Sequence, residues 1–321
     1  MIRHGLAPFL LRRLAVAVPL LLLISFGVFA MLHAAPGDPV RALLGSRPST
    51  PAAVASIRAR YNLDDPFLLQ YGKWLWQVLH GDLGRSIQGG QLVTGAIGQR
   101  LGVTAFLTAF STVLVLAFGI ALGALAALRR GTRTDRAVVM LGVFGISSPA
   151  FVTGIVLLYV FGVLLGWFPT FGAGRDPLDR AWHLTLPALA LATSVLAIVV
   201  KITRAAMIEE LDKDYITFAR ARGLSGSRIV LAYVLRNALI PVVTAAGLIV
   251  VGLVAGAIYV EVTFALPGLG SLIIDAVQKR DIPLVQGTTL AFAIFVVVVN
   301  LLVDVVYTLI DPRIRFGGVG A

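Results

Sequence analysis

Six long apolar segments constrain the fold of this chain more strongly than any other feature of its sequence. A helix that crosses the hydrocarbon core of a membrane needs about 20 predominantly apolar residues. The segments that meet this requirement run from Leu14 to Ala35, Leu101 to Leu128, Ala137 to Leu165, Leu184 to Val200, Leu239 to Val260 and Val285 to Ile310. The sequence therefore predicts an all-α polytopic membrane protein with six transmembrane helices.

The composition supports the membrane class and excludes several others. Charged residues make up 13% of the 321-residue chain, against about 25% in an average soluble domain. The net charge of +11 would suggest nucleic-acid binding in a soluble protein. Here the basic residues lie in short hydrophilic stretches beside the apolar segments, which favours a role in membrane topology and a lipid bilayer as partner, with no nucleic acid. The chain has no cysteine, which excludes disulfides and thiolate metal sites.

The basic residues also predict the orientation of the chain in the membrane. Arginines and lysines are enriched in cytoplasmic loops close to the membrane. They cluster in four stretches, which are residues 3–13, 129–136, 201–236 and 313–315. These stretches alternate along the chain, so we expect all four in the cytoplasm, with both termini inside and residues 36–100 outside.

The predicted organisation follows from these segments. The first apolar segment is longer than the core of a signal peptide, and no small-x-small cleavage site follows it, so we expect an uncleaved signal anchor. The regions are the N-terminal tail and first transmembrane helix (1–35), an extracytoplasmic helical loop (36–100), a five-helix core (101–310) with a cytoplasmic segment at 201–238, and a cytoplasmic tail (311–321).

The outer loop contains two predicted helices. Thr50 followed by Pro51 is typical of a helix N-cap and first helical position. Residues 67–79 form a second helix, with Leu68, Tyr71, Leu75 and Leu79 on one stripe. Together with Tyr71, the side chains of Trp74 and Trp76 make this helix either an interfacial lid or a docking surface for an extracytoplasmic partner.

A second group of candidates lies near the predicted outer mouth of the bundle. Proline and glycines break the helix after Glu261, and the apolar stretch from Ser271 to Val277 is too short to span, which predicts a re-entrant or mouth-lining turn. Glu261 either contacts a substrate amine or tethers the following loop. The candidate residues of the translocation path or its mouth are Glu261, Phe264, Pro267, Gly268 and Asn300.

The charged stretch at residues 201–240 is the best-developed hydrophilic segment of the chain. We expect Asp214 to cap a short helix over Tyr215 to Arg222, and Gly223 to end it. Ser225 or Ser227 then caps a second helix. Small alanines on an exposed helix allow close approach to a groove on a partner, while arginines orient the encounter. An ordinary positive-inside loop would not need this length or these caps.

Several segments, which together extend over nearly the full length of the chain, resemble the permease subunits of ABC importers for dipeptides and oligopeptides. They are LLRRLAVAVPLLLLISFGVF with HAAPGDP near the start, GDLGRSI at 81–87, LRRGTRTDR at 128–136, LTLPALALA at 184–192, DYITFARARGLS at 214–225, LRNALIPVVT at 235–244, VEVTFALPGLGSLIIDAV at 260–277, RDIPLVQG at 280–287 and NLLVDVVYTLIDPRIR at 300–315. The resemblance implies that the charged stretch is the coupling loop of the importer family. Gly223 matches the glycine of that loop and Ala219 its second alanine, whereas Thr217 stands in place of the glutamate and Arg236 in place of the proline.

The resemblance also implies which residues contact partner subunits and which subunits those are. The residues that it assigns to coupling with the ATPase are Asp214, Tyr215, Thr217, Ala219, Arg220, Ala221, Arg222, Gly223 and Leu224. It implies a bacterial plasma (inner) membrane protein that works with a second homologous permease, two ATP-binding subunits (or one fused chain) and an extracytoplasmic solute-binding protein.

No phosphate-binding GxxxxGK[ST] motif occurs in the chain, so we expect no cofactor and no enzymatic activity on it, with ATP and Mg on the partner subunits. Peptides are the expected cargo, with nickel, glutathione or another small polar solute as alternatives. An ion-coupled secondary transporter would instead need inverted repeats and buried carboxylates.

Overall fold

The computed structural model describes residues 3–34, 39–44 and 49–310. Within these ranges the chain is helical, no strand is formed, and one isolated antiparallel bridge joins Arg85 to Leu92. The helices are α1 (Arg3–Ala34), α2 (Pro39–Leu44), α3 (Pro51–Tyr61), α4 (Phe67–Leu79), α5 (Val93–Leu128), α6 (Arg133–Ser147), α7 (Ala150–Leu157, continued as a π-helix over Leu158–Leu164), α8 (Pro177–His183), α9 (Thr185–Leu211), α10 (Asp214–Ala221), α11 (Gly226–Ile229, continued as a π-helix over Val230–Val234), α12 (Leu235–Thr263), α13 (Leu269–Gln278) and α14 (Ile282–Ile310). The all-α prediction is confirmed.

Five described helical stretches are long and apolar enough to cross a membrane, and a bent pair makes up to six. The pair is α6 with α7 and its π continuation, which meet at an angle of 104°. The predicted single segment from Ala137 to Leu165 is therefore broken. Ser148 and Pro149 adopt extended backbone at the break, because proline disfavours the helical conformation of the residue before it and cannot donate a backbone hydrogen bond.

The chain forms two compact units. The first contains the described residues up to Thr104 together with Pro267–Val298, and the second contains Ala105–Leu266 and the described residues from Val299 onward. The predicted tail at 311–321 lies outside the described residues.

In the second unit, α9 is the central helix. Its side chains from Leu186 to Met207 are buried at positions spaced around most of the helix. Glycines on α5 allow close packing against it, since a Cβ at Gly119 would lie 2.7 Å from Val199 Cβ, and one at Gly123 would lie 2.8 Å from the carbonyl oxygen of Val200. These small residues bring two helix backbones together within one chain.

In the first unit, α4 packs against α1 through aromatic side chains. The ring of Phe29 on α1 lies 5.6 Å from that of Tyr71 and 5.4 Å from that of Trp74. The hydroxyls of Ser25 and Tyr71 are 2.8 Å apart. The helix over Phe67–Leu79 confirms the predicted stripe, but the face that meets α1 contains Tyr71 and Trp74, whereas Leu68 and Leu79 of the stripe are exposed. The N-cap prediction is confirmed, since Thr50 accepts a hydrogen bond from Ala53 N at 3.2 Å.

Candidate functional site

The charged stretch is built mainly of helices that continue the adjacent spans. The helix predicted to end at Val200 continues as α9 to Leu211, well into the charged sequence. After a turn at Asp212 and Lys213, α10 begins, and α11 with its π continuation leads directly into α12. Helical geometry continues beyond the apolar residues because lysine, arginine and glutamate are good helix formers. The short helix α10 is therefore connected to two long helices by turns of a few residues.

The ends of α10 differ in part from the prediction. Its N-cap position is occupied by Lys213, whose side chain makes no capping hydrogen bond, so Asp214 is the first helical residue and not the cap. A carboxylate in the first turn still interacts favourably with the helix dipole. Ser225 occupies the N-cap position of α11, and its side chain makes no capping hydrogen bond there.

Gly223 ends α10 as predicted. Its φ is +78°, and its N–H donates to Arg220 O at 2.9 Å, while Leu224 N donates to Ala219 O at 3.2 Å. These two bonds are the paired pattern of a Schellman motif, which turns the chain out of the helix. Arg222 is the C-cap residue and not the last helical residue.

The buried face of α10 contains Ile216 and Ala219. Both lie in a core cluster with Met207 of α9 and Ile229 of α11, and Leu224 packs against the same cluster. Ala219 is only 7% exposed, so its small side chain faces the core of this chain. The prediction that Ala219 is available to a groove on a partner is wrong, because positions 216 and 219 lie on the same side of one helical turn.

The exposed face of α10 is mixed in character. Phe218 is 69% exposed, although it is a large apolar residue in a hydrophilic segment. It was missed by the sequence prediction, and the signal was the apolar pair at 216 and 219, which turns position 218 outward. The other exposed residues of this segment are Asp214, Tyr215, Thr217, Arg220, Ala221, Arg222 and Gly223.

A polar network joins α10 to the helices on both sides of it. The Tyr215 hydroxyl donates to a carboxylate oxygen of Glu210 near the end of α9, and accepts from Asn237 Nδ2 of α12 at 3.0 Å. Lys213 donates to the other Glu210 oxygen. The Glu210 carboxylate raises the pKa of Lys213, and burial together with the same carboxylate raises the pKa of Tyr215. Glu210 and Asn237 were not predicted as site residues.

Two ion pairs connect the first turn of α6 and the turn before it to α9 and to the residue after α9. Arg204 Nε and Nη2 donate to the two carboxylate oxygens of Asp135 at 2.6 and 2.8 Å, and the Asp135 carboxylate also accepts from Gly131 N. The Asp135 side chain is largely buried, whereas the pair between Arg130 and Asp212, 3.1 Å apart, is exposed. The positive-inside pattern predicts only an orientation role for these arginines.

The predicted mouth residues do not form one exposed set. In the second unit, Glu261 is completely buried, and its carbonyl accepts from Leu266 N at 2.8 Å, so its backbone tethers the following loop. Phe264 is also buried, close to Gly154. Asn300 is half-buried and lies near Gly247.

In the first unit, Pro267 is exposed, and the buried Gly268 precedes α13. Among the described residues, no three His, Asp or Glu side chains converge to hold a metal ion.

The candidates on the predicted outer loop separate into two kinds. Tyr71 and Trp74 pack against α1, whereas Trp76 is 66% exposed. Trp76 lines a shallow cavity of about 420 Å³ on α4 together with Asn62, Leu69, Gly72, Lys73 and Gln77. Of the three predicted docking residues, Trp76 is therefore the one that a partner could contact most fully.

The helical architecture and its apolar spans define a polytopic helical membrane protein with an ordered hydrophilic helix between two long helices. A model of the family described as "Binding-protein-dependent transport system inner membrane component" matches residues 119–316. A second model, for the N-terminal part of such membrane components, matches residues 6–108. The chain belongs to this family, the permeases of ABC importers, and is a multi-pass inner membrane protein.

Similar proteins match the chain almost from end to end. A putative peptide transport system permease protein from Brucella abortus (strain 2308) is 39% identical over 310 residues, which is 96% of this chain and 98% of that protein. The dipeptide transport system permease protein from Escherichia coli (strain K12) is 39% identical, with the same shares covered. The glutathione transport system permease protein from Salmonella paratyphi A is 40% identical and covers 96% of this chain and 99% of that protein.

Proposed function

We propose that this chain is the transmembrane permease subunit of an ATP-driven importer of di- or oligopeptides. It forms half of the translocation path, and a second homologous permease forms the other half. Two ATP-binding subunits, or one fused chain, hydrolyse ATP in the cytoplasm, while a solute-binding protein delivers substrate from outside. This chain itself carries no ATP, Mg or metal.

The observation that carries the proposal is α10, a short hydrophilic helix fixed to the chain's own core on one face and exposed on the other. Its buried side is anchored by Ile216 and Ala219, and Phe218 and Arg222 project from its opposite side. An exposed aromatic side chain beside a cation is typical of residues that anchor protein interfaces. We propose that this surface enters a groove on an ATP-binding subunit.

The proposed orientation follows the basic clusters. Arg129 and Arg130 after α5 and Arg133 and Arg136 at the start of α6 are exposed, so the positive-inside rule supports a cytoplasmic location for this region and for α10. Both termini then lie inside, and the loop with α3 and α4 lies outside, where Trp76 is available to the binding protein.

Peptide is the proposed cargo because two of the reported relatives carry peptide or dipeptide in their names. The relative named for glutathione is as similar in sequence, so glutathione, itself a small peptide, is the second candidate. Nickel or another small polar solute remains a further alternative, and an ion-coupled secondary transporter is the least favoured class.

The proposal is tested with the importer purified through a tag on this chain and reconstituted in vesicles that enclose ATP, with its binding protein in the external medium. Uptake of radiolabelled dialanine, tetra-alanine, glutathione and Ni²⁺ is measured with and without ATP. We expect ATP-dependent accumulation of an alanine peptide. Accumulation of glutathione or Ni²⁺ alone would overturn the proposed peptide cargo. ATP-independent uptake driven by an ion gradient would overturn the proposed class, an ATP-driven importer.

A further inference from the structure

The Tyr215 hydroxyl lies where three helices meet. It donates to Glu210 in the last turn of α9 and accepts from Asn237 in the first turn of α12, at 3.0 Å. Asn237 Nδ2 also lies 3.4 Å from the same Glu210 carboxylate, which closes a triangle of side chains. One hydroxyl of the exposed helix therefore contacts both of the long helices to which that helix is connected.

The rest of the attachment of α10 lies along a single line. Ile216 and Ala219 are one turn apart and both face the core cluster. The turns at each end of α10 are short, and Gly223 in one of them has open space around it. A helix attached along one line can roll about its own axis. Tyr215 supplies a second attachment beside that line, because consecutive helical residues point in different directions.

We infer that Tyr215 is a positioning residue, whose hydroxyl fixes α10 to α9 and α12 so that a displacement of α10 moves both long helices together. The inference rests on the proposed function, since it concerns how motion of an ATP-binding subunit reaches the membrane helices. It assigns the Tyr215 hydroxyl to contacts within this chain, and leaves docking to the exposed surface around Phe218.

Glu210 is suited to this role. Its carboxylate is largely buried, and it accepts from Lys213 as well as from Tyr215 and Asn237. Hydrogen bonds to an ionised group are about twice as strong as those between neutral groups. The link thus has a charged centre held by donors from the turn before α10, from α10 itself and from α12.

The test uses Tyr215→Phe, which removes the hydroxyl and keeps the ring. The matched control is Tyr233→Phe, because Tyr233 makes no side-chain hydrogen bond within the described part of the chain. In the vesicle assay with the same labelled solutes, three quantities are compared with the unmodified importer. They are the ATP-binding subunit that co-purifies, the rate of ATP hydrolysis, and the solute imported per ATP.

For Tyr215→Phe we expect unchanged co-purification and ATP hydrolysis, with import per ATP lower by about tenfold, the effect of one lost hydrogen bond to a charged group. Tyr233→Phe should leave all three unchanged. Asn237→Ala should also lower import per ATP, and the double variant should be no worse than the poorer single variant, because both remove one shared contact. If Tyr215 had a purely structural role, the variant would instead lower the amount of complex and leave the solute imported per ATP unchanged.

Normal import per ATP in Tyr215→Phe would overturn the inference while the proposed function stands. If Tyr215→Ala also loses the ATP-binding subunit, the ring is a docking contact instead. If the unmodified vesicles import none of the solutes in an ATP-dependent manner, the proposed function fails and this inference fails with it.

Discussion

At the scale of single residues, the backbone of Gly223 decides where α10 ends. Its φ of +78° lies in the left-handed region, and a Cβ there would have no atom within 4 Å, so only the backbone conformation opposes a larger residue. For a residue with a side chain this conformation costs about 1–2 kcal/mol, but asparagine adopts it more readily.

We therefore expect Gly223→Val to redirect the chain after α10 and abolish stimulation of ATPase activity by the loaded binding protein, with normal membrane abundance. Gly223→Asn should keep most of the stimulation. The measurement is ATPase activity in reconstituted vesicles. Full ATPase stimulation in the valine variant would show that the direction of the chain after α10 does not matter for coupling.

Ala219 and Ala221 provide a matched pair on the same helix. Ala219 is buried among Ile216, Met207 and Ile229, whereas Ala221 is exposed. Overpacking a core costs typically about 1–3 kcal/mol, so Ala219→Phe should lower the amount of folded protein in membranes. Ala221→Phe should leave that amount unchanged. Immunoblotting of membranes and thermal unfolding of the purified variants would check this, and equal stability of the two variants would contradict the burial of Ala219.

At the scale of helices, the pair of Asp135 and Arg204 joins α6 to α9 by a bidentate contact that is largely withdrawn from solvent. Removing one partner of a buried ion pair costs about 3–5 kcal/mol, because the other charge is left uncompensated. Asp135→Leu or Arg204→Leu alone should therefore be strongly destabilising, and the double variant less so than either.

The exposed pair of Arg130 and Asp212 is the control, and Asp212→Ala should change stability by less than about 1 kcal/mol. Thermal unfolding in detergent measures all four variants. If Asp135→Leu lowered the stability as little as Asp212→Ala, the contact between Asp135 and Arg204 would not hold α6 to α9.

The approach of α5 to α9 depends on a glycine. A Cβ at Gly123 would lie 2.7 Å from Thr203 Cβ, whereas one at Gly102, on the same helix, would meet no atom within 4 Å. Gly123→Ala should destabilise by about 1–3 kcal/mol through overpacking. Gly102→Ala should be neutral or stabilising by up to about 1 kcal/mol, because alanine favours a helix. Thermal unfolding of the two variants should rank them in this order, and the reverse order would exclude close packing at Gly123.

At the scale of the whole molecule, the proposed orientation in the membrane can be tested by labelling single introduced cysteines, because the chain has no cysteine of its own. We expect Trp76→Cys to react with a membrane-impermeant maleimide in intact cells. Arg220→Cys should react only after the membrane is opened. Labelling of position 220 from outside would reverse the proposed topology and remove α10 from the compartment that contains ATP.

Sequence patterns alone predict the helical class, the approximate membrane segments and several helix ends. These are local properties, since a run of apolar residues, the cap at Thr50 or the turn at Gly223 depends on neighbours within a few positions. The apolar run from Ala137 to Leu165 did not indicate the bend of 104° between α6 and α7, which depends on how these helices pack in the second unit.

Which face of each short helix is buried depends on tertiary packing and could not be predicted from the sequence. Tyr71 and Trp74 face inward because α1 supplies aromatic partners, and Ala219 faces inward because Met207 and Ile229 complete its core. The contact between Glu210 and Asn237 joins residues 27 positions apart, and that between Asp135 and Arg204 joins residues 69 apart. Such contacts leave no periodic signal in the sequence, because their energy depends on distances that exist only after the helices have packed.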